Sequence, residues 1–434
     1  MVKLLLKKMF LVGFATTFKH APLYTLRRSS IRMPFPYQTK EVVNRMLQAL
    51  NERGELIILS TLRQREINQL RKHLFYCPQC KEQVIIRAGS RVIPHFAHLP
   101  ESLCTIDHGG ESDYHKRAKL ILYEWFQSYN FSKVYLEKFL PTINQRPDIL
   151  IKTNDKMIAV EYQSASISPE LLRQRNEGYA KANIIPFWII GENQLKALGK
   201  NHSFQINAFM HQLIQSYRPN EPSKLVYFCP HKAKFTVLND LHFYRQTKAY
   251  ARPETFYLDN IHFKQLFLPY PFPRSSLYRH WYEEKRRFRL AAHRVTGKEL
   301  HFRQWLYQKQ VHVEQLPSLI HLPIASQYKM KTPIWHWQAR LVLDLLHPLK
   351  ISSAINISQC KAYIKDDINP YYQNDMTEII EQYFDHLVLA QVFVKRGEEE
   401  WEKIRHFRFH RYIEASLKAD KILMTYLSKK EQFN

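Results

Sequence analysis

Residues 111–129 place Tyr114, Ala118, Ile121, Leu122 and Trp125 at the three-and-four spacing of a helix with one buried face. The period then changes. Residues 134–140, Ile149-Leu150-Ile151 and Met157-Ile158-Ala159-Val160 are apolar runs of strand length. The last two flank the polar stretch Lys152-Thr153-Asn154-Asp155-Lys156, which reads as the turn of a β-hairpin. Ser168 can cap a helix that Pro169 opens at its first position, with Leu171, Leu172, Arg175 and Tyr179 along it. The continuous apolar run from Ile184 through Ile190 reads as a strand buried on both faces. The predicted order is helix, three strands, helix, strand: a small α/β sheet with crossovers.

The flanks carry different patterns. Asn51-Glu52-Arg53-Gly54 turns into a strand over 56–60, and a short hairpin is predicted around Ala88-Gly89-Ser90. Residues 335–346, 379–389 and 401–423 are helical in pattern, with Pro333 and Pro348 bracketing the first. The run over 387–394 can end a helix and enter a wing. A winged-helix-like part is one reading of this region; a helical platform for the preceding domain is the other. Residues 1–45 hold nine Lys/Arg and one acid, with no apolar periodicity long enough for a packed element. They are expected to be a non-native or disordered leader before a true start at Met46, or else a basic arm. No apolar run reaches the roughly 18 residues of a membrane span. The expected division is 1–45, a β module over 46–108, an α/β domain over 109–215, and a mostly helical domain over 216–434.

Chemistry enters where the hairpin closes. Asp148 precedes its first strand and Glu161 ends its second, so the two acids should lie side by side. Adjacent carboxylates repel unless a cation stands between them, and Mg²⁺ or Mn²⁺ takes oxygen ligands of this kind. The spacing alone also suits an ordinary solvated hairpin. Upstream, Glu111, His115 and Lys119 form a row at i, i+4 and i+8 along the margin of the helix's buried stripe. Such a row can point into a cleft; it can also be a dipole-favoured carboxylate with two solvated partners.

A second constellation lies earlier. Of five cysteines, Cys77 and Cys80 form a Cys-x-x-Cys knuckle, and Cys104 follows His95 and His98 after the predicted hairpin. Zn²⁺ takes four such N or S ligands in a tetrahedron. The favoured set is Cys77, Cys80, His98 and Cys104, with His95 as the alternate ligand. A disulfide with a spare thiol is the weaker reading, and an odd cysteine count with no disulfide framework suits a reducing cytoplasm. Cys229-Pro230-His231 has no partner knuckle nearby, and Cys360 reads as core.

Charge narrows the partner. Lys and Arg number 64 against 39 Asp and Glu, a formal +25 with pI near 9.7, which points to a polyanion. The 434 residues, 45% hydrophobic, suffice for about three packed domains. Residues 271–309 concentrate ten Lys/Arg with eight aromatics. There Trp281, Phe288, Ala292 and Val295 line one helix face, and Arg286 and Arg289 lie off it. Arg286, Arg289, Arg294 and Arg303 are the candidate phosphate contacts. Tyr278, Tyr282 and Trp305 could stack on unpaired bases or belong to the core.

The αβββαβ order, with acids on adjacent strands, resembles the PD-(D/E)xK nuclease superfamily. The series Glu111-Ser112, His115, Lys119, Arg146-Pro147-Asp148, Glu161-Tyr162-Gln163-Ser164, Arg175, Tyr179 and Pro186-Phe187-Trp188-Ile189 more closely resembles the CoiA family of competence-associated proteins of Gram-positive bacteria. So does Cys-Pro-x-Cys, His-Phe-Ala-His, Cys. The resemblance runs from about Met46 to the C-terminus and loosens after about Asp240. It implies an α/β restriction-endonuclease-like core, an N-terminal zinc-binding β module and a mostly α-helical C-terminal domain. It also implies a cytoplasmic protein that processes DNA during natural transformation. Asp148 and Glu161 would bind Mg²⁺ or Mn²⁺, with Glu111 as a third carboxylate and His115 or Lys119 near the scissile phosphate. One departure stands out: Gln163 occupies the place of the superfamily's lysine. A glutamine can orient water but adds no charge, so Lys119 becomes the candidate replacement. The implied partner is single-stranded or branched DNA. The competing expectation is a non-catalytic adaptor that brings recombination proteins to incoming single strands.

Overall fold

The computed structural model describes residues 45–89, 92–99, 102, 112–199, 201–217, 221–291, 295 and 297–431. The expectation for the leader concerns residues outside this set, apart from Arg45. The first module is a six-stranded sheet built from β1 (Arg45–Met46), β2 (Gln48–Asn51), β3 (Leu56–Ile58), β4 (Phe75–Tyr76), β5 (Gln83–Gly89) and β6 (Val92–His98). A short helix, α1 (Gln64–Leu70), crosses between β3 and β4. Every strand pair is antiparallel, and Met46, Ala49, Phe75, Cys77, Val84, Ile86 and Phe96 fill the core. The strand expected over 56–60 stops at Ile58, where the chain tightens into a 3₁₀ turn over Leu59–Thr61.

The second sheet has nine strands. Helix α2 (Asp113–Gln127) leads into β7 (Lys133–Leu136), β8 (Ile149–Lys152) and β9 (Met157–Gln163), which pair antiparallel in that order. Helix α3 (Pro169–Lys181) crosses over to β10 (Ile184–Gly191), which lies parallel to β9. Alternation along the strands divides the packing. Ile149, Ile151, Ile158 and Val160 meet Ala118, Leu122 and Trp125 of α2, while Leu150 and Ala159 meet Tyr179 of α3 on the other face. Both helix starts follow their sequence signals. Ser112 and Ser168 each accept a hydrogen bond from the backbone N–H three residues on, at 3.2 Å.

The sheet then continues past the expected end of the domain. The short strands β11 (Lys196–Ala197) and β12 (Ser203–Gln205), helix α4 (Ala208–Gln212), and the long strands β13 (Lys224–Cys229), β14 (Lys234–Arg245) and β15 (Lys248–Tyr257) follow. β13 pairs parallel with β10, and β14 and β15 extend the sheet antiparallel. The boundary expected at 215/216 therefore falls inside one sheet, and the region after it opens with strands rather than helices.

Beyond these strands lie α5 (Arg274–Leu290), α6 (Gly297–Gln308) and α7 (Ile334–Arg340), which runs on as a π-helical turn over Leu341–Leu346. β16 (Ala354–Asn356), α8 (Ile357–Ile364), α9 (Met376–Leu389), β17 (Phe393–Lys395), β18 (Glu400–Lys403) and α10 (Ile413–Lys430) complete the chain. The three strands form one small sheet in the order β16-β18-β17. The helix expected over 401–423 is divided. Trp401 belongs to β18, where it is buried and stacks on Phe384 at 4.3 Å, and the helix begins only at Ile413. Among the described residues no helix is long and apolar enough to cross a membrane.

Candidate functional site

Three acids stand in a row where β7 ends, β8 begins and β9 nears its end. Leu136 pairs with Ile149 and Ile149 with Val160, so one further step sets Glu137 opposite Asp148 and Asp148 opposite Glu161. All three are buried. Glu137 adopts φ 46°, the left-handed region, which ends β7 short of the strand expected over 134–140. Its backbone N–H still donates to Asp148 O at 2.9 Å. From the first module, the Gln48 amide donates to the carbonyls of Leu136 and Glu137 at 2.8 and 3.3 Å. The β-module thus holds the strand end that carries this acid.

Each carboxylate meets protein donors. Helix α2 delivers Lys119, whose Nζ lies 2.6 Å from Glu137 Oε1 and 3.2 Å from Asp148 Oδ1. His115 Nε2 is 3.4 Å from Asp148 Oδ2, which also accepts the Tyr162 backbone N–H at 2.8 Å. Glu161 accepts from Arg175 and from the Tyr179 hydroxyl, one turn apart on α3. Lys119 is 1% exposed, whereas the Arg175 side chain keeps 26% of its surface open.

This environment drives the two central acids apart. Burial alone would raise Asp148, but Lys119, then His115 and the Tyr162 N–H, hold it well below the usual carboxylate range. At Glu161 burial is again the largest influence. Arg175 and Tyr179 oppose it, Asp148 reinforces it, and the carboxyl is pushed up to about 7. The same pairing, chiefly with Glu161, holds Arg175 more firmly charged than a free guanidinium. A carboxyl raised by burial and a neighbouring anion is one that a bound cation would help to ionise. Carboxylate oxygens are hard donors of the kind Mg²⁺ or Mn²⁺ takes.

His115, Lys119, Asp148 and Glu161 therefore meet at one place. Gln163 ends β9 half-buried, two residues beyond Glu161, and its carbonyl accepts from the Gln194 amide at 3.2 Å. Glu111 lies outside the described residues. Glu137 escaped the sequence reading because 134–140 passes for one unbroken strand. The available signal was an acid beside each of three successive apolar runs.

In the first module, Cys77, Cys80 and His98 bring their ligand atoms within 4.8 Å of one another, with Cys80 Sγ 3.2 Å from His98 Nε2. Lys81, at φ 63°, closes the knuckle, and Cys77 N–H donates to Glu82 O at 2.8 Å. Burial pulls His98 below its ordinary pKa, against an upward pull from Glu82, and so favours the neutral ring that binds metal. His95 is an odd number of positions away on the same strand and faces the other side, where its Nδ1 bonds Ile93 O at 2.8 Å. Two thiols and an imidazole are suited to Zn²⁺. Cys104 lies outside the described residues. Cys229 and Cys360 are buried, and burial pushes the Cys360 thiol up to about 12.

The candidate phosphate contacts scatter. Arg286 is exposed and 3.7 Å from Glu283. Arg289 is 4% exposed and does not face solvent as expected. Its guanidinium grips Asp420 of α10 at 2.6 and 3.0 Å and donates to the carbonyls of Val313, Glu314 and Leu316. Arg303 is half-buried against Glu299 and Ala291 O, and Arg294 lies outside the described residues. Tyr278 is core; Tyr282 and Trp305 are half-buried against the same cluster.

Comparison with known proteins matches three successive stretches of the chain. Residues 59–107 match the N-terminal domain of Competence protein CoiA, 111–271 its nuclease-like domain and 277–417 its C-terminal domain. A curated relative, Competence protein CoiA of Bacillus subtilis (strain 168), is 31% identical over 331 residues, covering 74% of this chain and 87% of that protein. No solved structure matches.

Proposed function

This chain belongs to the competence protein CoiA family and carries its nuclease-like domain, and from that premise we propose that it is a metal-dependent DNA nuclease processing DNA or recombination intermediates in natural transformation. The observation that carries the reading is the row Glu137, Asp148 and Glu161 across three strand ends, with Lys119 brought to it from α2. A PD-(D/E)xK-type αβββαβ core places its chemistry at such strand ends. The charge missing at Gln163 is supplied here by Lys119.

Asp148 and Glu161 would hold Mg²⁺ or Mn²⁺ through oxygen lone pairs left over by their protein donors. Such an ion, when bound, lowers the pKa of a water and offsets charge growing on a phosphodiester. Lys119, fixed between Glu137 and Asp148, keeps Asp148 ionised and ready to bind. Gln163 orients water by its amide. Arg175 has an open edge with which to meet a phosphate oxygen. The thiolates at Cys77 and Cys80 need a reducing compartment, which supports a cytoplasmic protein with a structural Zn²⁺.

One observation favours the adaptor instead. Both oxygens of Asp148 and both of Glu161 already have protein donors, so the site is charge-compensated before any metal arrives. The test incubates purified protein with single-stranded, duplex and branched DNA in Mg²⁺, Mn²⁺ or EDTA. Cleavage should require the metal and disappear in Asp148→Ala and Glu161→Ala, with DNA affinity kept within a few-fold. Variants that cut like wild type would place the chemistry elsewhere. Wild-type protein that binds every DNA form and cuts none would establish the adaptor.

A further inference from the structure

The segment between β18 and α10 reads Ile404-Arg405-His406-Phe407-Arg408-Phe409-His410-Arg411-Tyr412, with no acid in it. It is neither helix nor strand, yet it is tied at both ends and in the middle. Before it, Lys403 is buried, and its Nζ donates to the carbonyls of Leu346, His347 and Leu349 at 3.0, 2.8 and 2.7 Å. In the middle Phe407 is buried in the core, and Phe409 packs edge-on against His347 at 5.0 Å. After it, Tyr412 O accepts the Ser416 N–H as α10 begins. Phe407 and Phe409 turn inward, and Ile404, Arg405, His406, Arg408 and Arg411 are left exposed.

Arginines elsewhere in this region are largely spent on acids: Arg274, Arg286, Arg287, Arg289, Arg303, Arg340 and Arg396 each meet a carboxylate. Arg405, Arg408 and Arg411 meet none among the described residues. The basic charge of the strap and its anchor is felt locally. His347 and His410 are lowered first by burial, and then by cations of the strap or its anchor: Lys403 and His406 at His347, Arg408 at His410. Tyr412 is 64% exposed at the end of the strap, with the Arg411 guanidinium 5.7 Å from its ring.

The winged-helix-like elements beside the strap do not turn their usual helix toward a polyanion. α7, β16, α8, α9 and the β17–β18 hairpin follow the order of a winged helix, whose second helix of the pair usually enters a groove. Here that helix is α9. Its Glu378 pairs with Lys329 at 2.6 Å, its Gln382 accepts from Ser326, and its His386 bonds Pro323 O. Its face is occupied by the rest of the molecule. The hairpin tip, Gly397-Glu398-Glu399-Glu400, is acidic.

We propose that residues 404–412 form a DNA-binding strap, with Arg405, Arg408 and Arg411 on successive phosphates and Tyr412 as a platform for an unpaired base. The strap rests on the reading of this protein as DNA-acting. Its backbone, anchored at both ends and at Phe407, lowers the cost of ordering on binding, and the exposed ring favours single strands over duplex.

The test measures full-chain binding to a labelled single-stranded oligonucleotide, and to its duplex, across a range of NaCl concentrations. Losing three phosphate contacts in R405A/R408A/R411A should flatten the slope of log K against log salt by about 2 on single strands. Each single substitution should account for about a third of that, so no result depends on the triple variant folding. Y412A should weaken single-strand binding by about tenfold and leave duplex binding unchanged. R53A/R65A/K72A, which removes equal exposed charge from the β module, should keep the wild-type slope. An unchanged slope in the triple and single variants overturns the strap, as does an equal loss in the β-module variant. Vesicles rich in phosphatidylglycerol form a further arm: a loss of vesicle binding with DNA binding intact also overturns it. Wild-type protein without salt-dependent DNA binding overturns the DNA reading itself, a result distinct from all of these.

Discussion

Burial pushes Glu161 upward, Arg175 and Tyr179 pull against it, and Asp148 adds to the push, leaving the carboxyl near 7 against an ordinary value close to 4.3. The folded protein therefore favours the protonated acid more than the unfolded chain does. That contribution to stability is complete below about pH 4 and is lost as pH rises through 7. Glu161→Gln fixes the site in its neutral form. Wild type should thus lose melting temperature relative to this variant between pH 5 and 8, in paired thermal scans; a difference that does not change with pH would sink the assignment. Lys119 invites the complementary experiment. Lys119→Met leaves Glu137 and Asp148 buried and adjacent without the cation between them, at a cost of about 3–5 kcal/mol. Adding Glu137→Gln should recover part of that loss, so the double variant should be more stable than the sum of the single effects in denaturant titrations. Strict additivity would mean that the pair does not act as a unit. Asp148 and Glu161 were legible because a hairpin forces the ends of its strands together. Glu137 was not, since a positive φ that ends a strand leaves no mark in an apolar run.

Among elements, the Cys77–Cys80 knuckle and the β5–β6 hairpin show how far local spacing reaches. A hairpin brings the end of its second strand back to the residues that precede its first, so His98 meets Cys77 and Cys80. Odd spacing along β6 then turns His95 away. Protein purified without chelator should contain about one Zn per chain. Cys77→Ser or Cys80→Ser should lose that zinc and melt at a lower temperature, because metal binding is part of the folding energy of so small a module. A zinc-free wild type with the same melting curve as the variants would remove the site. Helix α5 shows where such reasoning stops. Its apolar stripe was readable, and Trp281 is indeed fully buried. Arg289 lay off that stripe and suggested a solvated face. Its partner Asp420 arrives from α10, 131 positions later, and no local pattern announces it. Trp401 failed for a related reason: the strand it joins is only four residues long, too short for alternation to compete with a helical pattern around it.

Across the whole molecule, the matched domains meet at residues 271 and 277, but their packing does not divide there. Tyr244 and Tyr250 belong to β14 and β15 of the nine-stranded sheet, yet they pack in the same core as Trp281, Leu316 and Trp337. Asp240, at φ 53° in a bulge of β14, accepts the Phe272 N–H at 2.8 Å and meets His242 and Arg274 at 3.0 and 3.2 Å. Burial works against its charge, but those partners bring it down to about 2. Lys329, wholly buried, bridges to Glu378 and Asp375. Ending the chain at residue 271 would expose two stacked tyrosines and leave Asp240 without Phe272 and Arg274. Stripping a buried charge of partners, with His242 alone remaining, costs several kcal/mol, comparable with the net stability of a domain. The full chain should therefore melt without a separate transition for the nine-stranded sheet. A fragment of residues 1–271 should be poorly soluble alone and recover solubility when co-expressed with residues 272–434, the two purifying together. A soluble 1–271 fragment that melts as it does within the full chain would show the sheet to be independent, and its interface with the C-terminal domain to be a contact rather than a shared core.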